Sequence, residues 1–217
     1  KIDAAEKHLD RYIAHRIRTH IEDTASRARR ANLGPGQAEM TVDYKMKWTA
    51  MVFRETQVEW FGKSGIAWHG AMFIQRYDPG AGGEVNPDEY VITYYDDITD
   101  DKTEDGFAVV SCLQADLRAY GDDNPDVREV HVKTDGAGCY SGKYTALALA
   151  KLSDWTSLKI ISHSLGEAGQ NKSELDGHFG VAGPKVAAQV ASGHGNAATA
   201  GEVAERLRGA GGIVNST

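Results

Sequence analysis

The sequence predicts an α/β fold: a mixed five-stranded sheet flanked by helices, preceded by an N-terminal helical extension. Three observations carry this. Three runs of strand character come in succession, and further strands then alternate with runs of helical period. Strands joined by short loops can pair antiparallel, whereas crossovers through helices favour parallel pairing. The run from Val130 to Thr134 also breaks at Asp135-Gly136-Ala137-Gly138. That break leaves a carboxylate at a strand's carboxyl end, where open α/β sheets place ligands.

At 217 residues the chain is long enough to bury a real core in one domain with an extension. A hydrophobic share of 41% against 25% charged reads as globular, and no run reaches the apolar length of a membrane span. The chain opens on Lys1 without an apolar targeting segment, so a fragment of a longer intracellular protein is expected. The formal charge of −7 argues against coating nucleic acid by bulk attraction, although positive charge is concentrated locally. Cys112 and Cys139 make no disulfide framework and are expected to be reduced core thiols.

Residues 3–30 read as a helix with Leu9, Ile13, Ile17 and Ile21 in one apolar stripe. Arginines crowd the remainder, Arg16, Arg27, Arg29 and Arg30 among them. They form either a solvated face or a phosphate-contacting arm. Asn32-Leu-Gly-Pro-Gly36 is a linker. The expected division is therefore 1–36, a basic helix and linker, and 37–217, the α/β domain. Ile213-Val214 would begin a further strand at which the domain is cut short.

Met40 to Trp48 alternates as the first strand, with Asp43 on the face opposite Val42 and Tyr44. An acid inside a strand is disfavoured and needs a reason. A short helix or irregular excursion over 53–61 precedes strands at 66–77 and 90–95, separated by a glycine- and proline-rich loop. Asp96, Asp97, Asp100 and Asp101 are expected in a solvated acidic turn, since the glycine and closing Glu of a calcium loop are missing. Helices follow at 104–120 and 144–155, a strand at 158–163, and a helix from Ser173 that Gly183-Pro184 should kink. Thr199-Ala-Gly-Glu202 is a capping box opening a last helix that stops at Gly209. His69, His131 and His163 show no zinc spacing and read as structural.

This mixed sheet resembles the ribonuclease H-like arrangement. The segments Asp135-Gly-Ala-Gly-Cys-Tyr140 and Gly169-Gln-Asn-Lys-Ser-Glu-Leu-Asp176-Gly-His-Phe179 resemble the second and third acidic motifs of DDE/D-type transposases. Those proteins belong to the retroviral-integrase superfamily and occur in eukaryotic mobile elements. The resemblance implies an acid on strand 1 (Asp43) beside an acid at the end of strand 4 (Asp135). A third acid would come from the helix after strand 5, either Asp176 or Glu174. It further implies two Mg²⁺ ions, replaceable by Mn²⁺, and a nuclease or transposase acting on DNA, with Asp43 bridging the ions, Asp135 holding one and the third acid the other. Such hard cations suit carboxylate oxygens and stabilise both the attacking and the leaving oxygen of a phosphodiester. Lys133, Lys172 and His178 are then expected at the phosphate backbone. A nuclear location and a homo-oligomer fit the same reading.

Each acid has a plainer role beside it. Asp43 can pair with Lys45 or Lys47, or face solvent from an edge strand; Asp135 can shape a turn; Asp176 can cap its helix with Ser173. Two rivals come from other classes. One is an inactive transposase-derived module that binds nucleic acid or protein. The other is an NTPase, because Gly166 to Ser173 approaches a phosphate loop but has Asn171 where close phosphate approach needs Gly.

Overall fold

The computed structural model describes residues 2–61, 63, 65–77, 89–166 and 174–209. Helix α1 (Ile2–Ala31) leads into strand β1 (Gln37–Thr49), and after the short α2 (Gln57–Phe61) come β2 (Gly65–Arg76) and β3 (Tyr90–Thr99). Then follow α3 (Gly106–Asp123), β4 (Glu129–Thr134), α4 (Gly138–Ser141), α5 (Lys143–Trp155), β5 (Lys159–Leu165), α6 (Glu174–Ala191) and α7 (Ala200–Arg208). The five strands lie in the order β3-β2-β1-β4-β5. β2 runs antiparallel to both β1 and β3, while β4 is parallel to both β1 and β5. The fold is thus α/β with a five-stranded mixed sheet flanked by helices.

Because side chains alternate along a strand, each strand feeds two separate cores. Ala38, Met40 and Val42 of β1 join Ala71 and Phe73 of β2 beneath α3 and α5, where Leu113, Leu117, Tyr120, Leu149 and Leu152 close the layer. Phe73 and Tyr120 stack with centroids 3.9 Å apart, and the Tyr120 hydroxyl donates to Gln75 Oε1 at 2.8 Å. The other face carries Trp68, Met72 and Ile74 against Leu175, Phe179, Ala182 and Val186 of α6. A strand sandwiched in this way reads as a nearly unbroken apolar run, and β2 is buried from Ile66 to Ile74. Gly70 sits tightly under α6: an added Cβ would lie 2.6 Å from Phe179 Cζ, so a larger residue would force a neighbour to shift.

The helix starts follow from capping chemistry. Asp105 accepts from Phe107 N and Ala108 N at the head of α3, and Thr199 and Glu202 make the expected capping box of α7. Helix α6 continues through Pro184 to Ala191, so the proline does not end it. The phosphate-loop residues 167–173, including Lys172 and Ser173, and the late Ile213-Val214 pair lie outside the described residues. Both cysteines are free thiols.

Three expectations change. β1 is the centre of the sheet and not an edge, so Asp43 does not face open solvent from a rim. β3 extends to Thr99, so Asp96 and Asp97 are strand residues; the acidic turn begins only beyond them. Helix α1 turns its apolar stripe outward, leaving Ile17 55% exposed, while Thr19 and Ser26 are its buried residues. Its attachment is polar: Arg29 and Arg30 reach Glu39, and Glu22 approaches Lys133. Among the described residues, no helix is long and apolar enough to cross a membrane.

Candidate active site

The parallel register of β1 and β4 pairs Met40 with Val132 and Thr41 with Lys133. Two further steps along that register bring Asp43 level with Asp135, both on the α6 side of the sheet. Asp135 stands one residue past β4, where the Gly136-Ala137-Gly138 turn starts α4. One of its oxygens accepts from Ala137 N at 2.8 Å, so it does shape the turn. A carboxylate has about four acceptor positions, and a single turn bond leaves it able to take another partner.

Asp176 comes from the first turn of α6, whose Leu175 and Phe179 lie over Gly70, the residue that β2 pairs with Asp43. Asp43 is half-buried and its carboxyl is pushed up to about 6. Burial is the largest cause, then the charge of Asp135, with Asp176 adding a smaller push against a backbone hydrogen bond from Tyr44. The charges of Asp135 and Asp176 thus both reach Asp43, and like charges near a carboxyl disfavour its ionised form. The alternative partners of Asp43 are engaged elsewhere. Lys45 lies over the Trp68 ring at 5.6 Å, and Lys47 donates to Lys102 O and approaches Glu104.

The other candidate for third acid has a different occupation. Glu174 forms an ion pair with Arg30 at 2.9 Å, and although burial pushes its carboxyl up, the Arg30 hydrogen bond brings it below its usual range. Arg30 also holds the fully buried Glu39 at 2.7 Å, with Arg29 on the second oxygen at 3.2 Å. This network ties the end of α1, the start of β1 and the start of α6 together, and so fixes the helix end that carries Asp176. Charge-assisted bonds of this kind are about twice as strong as neutral ones.

The expected phosphate contacts sort differently. Arg29 and Arg30 are engaged with Glu39 inside the protein. Lys133 is buried beside Glu22 at 4.0 Å. His178 is buried too: its Nε2 bonds Asp96 at 2.8 Å, and its ring stacks on Tyr94. Lys133 and His178 are buried, and Arg29 and Arg30 are partly exposed with their guanidinium groups paired to Glu39. Arg16 and Arg27 remain exposed on α1. His131 and His163 bond Ser162 and Thr134, in keeping with structural roles.

The acids stand wider apart than a single-ion cage. Among the described residues, the one set of three such side chains with ligand atoms all within 4.8 Å of one another is His69, Asp97 and Cys112. This cluster lies on the opposite face of the sheet, and the sequence reading passed over it. Its one sequence signal is Asp116, a carboxylate in step with the buried Val109, Leu113 and Tyr120 of α3.

No family model matches the chain, and no curated protein matches it either.

Proposed function

We propose that the chain is a divalent-metal-dependent nuclease, or a transposase-like strand-transfer enzyme, acting on DNA from a ribonuclease H-like sheet. The observation that carries this is Asp43: a half-buried acid in the central strand whose carboxyl is pushed up by burial, by Asp135 and by Asp176. The neighbouring positions of β1 and β4 support the family resemblance, which needs an acid on each of them side by side. An all-oxygen donor set of three acids fits hard Mg²⁺ or Mn²⁺ ions. In the two-metal reading such acids share a pair of ions about 4 Å apart.

Asp43 would contact both ions, Asp135 one and Asp176 the other, with Glu174 kept by Arg30 as a brace for α6. When bound, the ions neutralise charge developing on the attacking and leaving oxygens of the phosphodiester and promote deprotonation of water or a 3′-hydroxyl. The chain's own residues supply position. Asp135 is oriented by its bond from Ala137 N, and the Arg30 bridge between Glu39 and Glu174 holds the start of α6 against β1. Proposed partners are a DNA strand and a second copy of the chain; nothing in this reading involves a membrane.

The test is cleavage of labelled single- and double-stranded DNA in Mg²⁺ or Mn²⁺, compared with EDTA. The wild type is expected to cut, and Asp135→Asn to lose activity by at least about a thousandfold, the scale of several kcal/mol of lost charge stabilisation. Binding without cutting by the wild type in either metal would instead mean an inactive transposase-derived module.

A further inference from the structure

On the face of the sheet turned away from Asp43, His69, Asp97 and Cys112 come together beneath α3 with Asp116 beside His69. His69 and Asp97 are direct cross-strand partners on β2 and β3. Cys112 and Asp116 are four apart on α3 and so share one helix face. His69 is 1% exposed and Asp116 2%, and both His69 ring nitrogens are without a hydrogen-bond partner, while the Asp97 carboxyl is in hydrogen-bond reach of Asp116 and of the Cys112 thiol. Their spacing is unusual for buried polar atoms. His69 Nδ1 lies 3.7 Å from Asp116 Oδ2 and 3.9 Å from Asp97 Oδ2, too far to hydrogen-bond.

Such distances are those between ligands of a common cation. Bonds of about 2.0–2.3 Å in a tetrahedron set neighbouring donor atoms about 3.3–3.8 Å apart. Nitrogen, sulfur and carboxylate oxygen together select a borderline ion such as Zn²⁺ over Mg²⁺ or Ca²⁺. His69, Asp97 and Cys112 have ligand atoms all within 4.8 Å of one another, and Asp116 Oδ2 lies 3.7 Å from His69 Nδ1; with Asp116 as fourth donor the set would be closed, the structural and not the catalytic kind of zinc site. Access remains, because Cys112 and Asp97 are only half-buried. A bound cation would also answer the cost of leaving buried donors and acceptors unpaired, about 1–3 kcal/mol for each.

We propose that His69, Asp97, Cys112 and Asp116 form a structural zinc site that pins α3 to the centre of the sheet. Zinc there crosslinks β2, β3 and α3 through residues far apart in the chain. Tyr44 of β1 packs edge-on against the His69 ring, with centroids 5.0 Å apart. The site therefore backs directly onto the strand that bears Asp43, but it does not depend on the nuclease reading.

The full chain, stripped with EDTA under reducing conditions, is titrated with Zn²⁺ and separately with Co²⁺. Stoichiometric zinc uptake by elemental analysis is expected, with a rise in Tm. Co²⁺ should give the intense visible bands of tetrahedral coordination and a thiolate charge-transfer band that Cys112→Ser removes. His69→Gln and Asp116→Asn should each weaken zinc by more than about a hundredfold, whereas Asp43→Asn combined with Asp135→Asn should leave it unchanged. Far-UV circular dichroism identifies any variant that fails to fold, and the wild-type cobalt spectrum decides in that case. Absence of uptake, or a cobalt spectrum without the thiolate band, overturns the site and leaves Asp97 and Asp116 as a buried pair sharing a proton. Uptake unaltered by Cys112→Ser overturns it as well.

Discussion

On the α6 side of the sheet, the charges of Asp135 and Asp176 reach the half-buried Asp43. On the α3 side, His69, Asp97 and Cys112 come together as a mixed set, with the buried Asp116 beside His69. The two clusters are built from adjacent residues. Asp43 is followed by Tyr44, which packs on His69, and Gly70, the neighbour of His69, pairs with Asp43. A single step along a strand therefore separates a group of carboxylates from a mixed histidine, cysteine and carboxylate group, because alternate side chains point to opposite faces. Burial differs in consequence as well. Asp43 is pushed up to about 6, whereas burial, then the charge of Asp97, raises Asp116 well above the carboxylate range.

The largest expected effect separates the faces by activity. Asp176→Asn should cost cleavage about as much as Asp135→Asn, on the order of a thousandfold. Glu174→Gln should cost no more than about tenfold, since Glu174 acts through Arg30. A rate assay giving the reverse order would move the third acid to Glu174.

Next comes the anchoring of α1 on the α6 side. Replacing both Arg29 and Arg30 by Met strands the fully buried Glu39 and should remove about 3–5 kcal/mol in urea unfolding. A loss below about 1 kcal/mol would mean that Glu39 takes up a proton or water without harm.

Gly70→Ala is a smaller test of how closely α6 must approach. The new methyl meets Phe179 and Leu175 and should cost about 1–3 kcal/mol. Cleavage should fall further than stability alone explains, because the displaced helix carries Asp176. Equal activity at temperatures where both proteins stay folded would show that α6 need not sit so near.

The smallest effect concerns pH. A carboxyl at about 6 in the folded protein, against an ordinary 3.8, holds its proton more tightly folded than unfolded. Stability without metal should therefore fall as pH rises from about 4 to 6, with the full loss present above 6. Asp43→Asn removes that loss and should raise metal-free stability at neutral pH by about 1 kcal/mol after solvent screening, or about 2–4 °C in Tm. Scans at several pH values in EDTA measure it, and a variant less stable than wild type at pH 7 would contradict the crowding of the three acids. Mg²⁺ should stabilise the wild type and not the variant.

Much of the architecture was legible because its signals are local. Period 2 and period 3.6 mark the strands and helices, and Thr199 with Glu202 marks the last helix start. Asp43 stood out because an acid within a strand breaks the pattern. The end of β3 was misjudged because Asp96 and Asp97 look like turn residues. Only the folded protein supplies their partners, Trp68 and His178 for Asp96 and the α3 cluster for Asp97. The outward stripe of α1 was equally hidden, since Leu9, Ile13, Ile17 and Ile21 have the spacing of a core face.

By itself the sequence determined the alternation of strands and helices, the glycine-rich turn after β4 and the residue types able to hold a hard cation. These depend on neighbours three or four positions away at most, so they are written in the chain. Strand order and register, the ion pair of Glu174 with Arg30, and the approach of His69 to Asp97 and Cys112 were decided only by tertiary structure. Each of these depends on which segments share a face, and that is set by the simultaneous burial of both sides of the sheet rather than by any local run of residues.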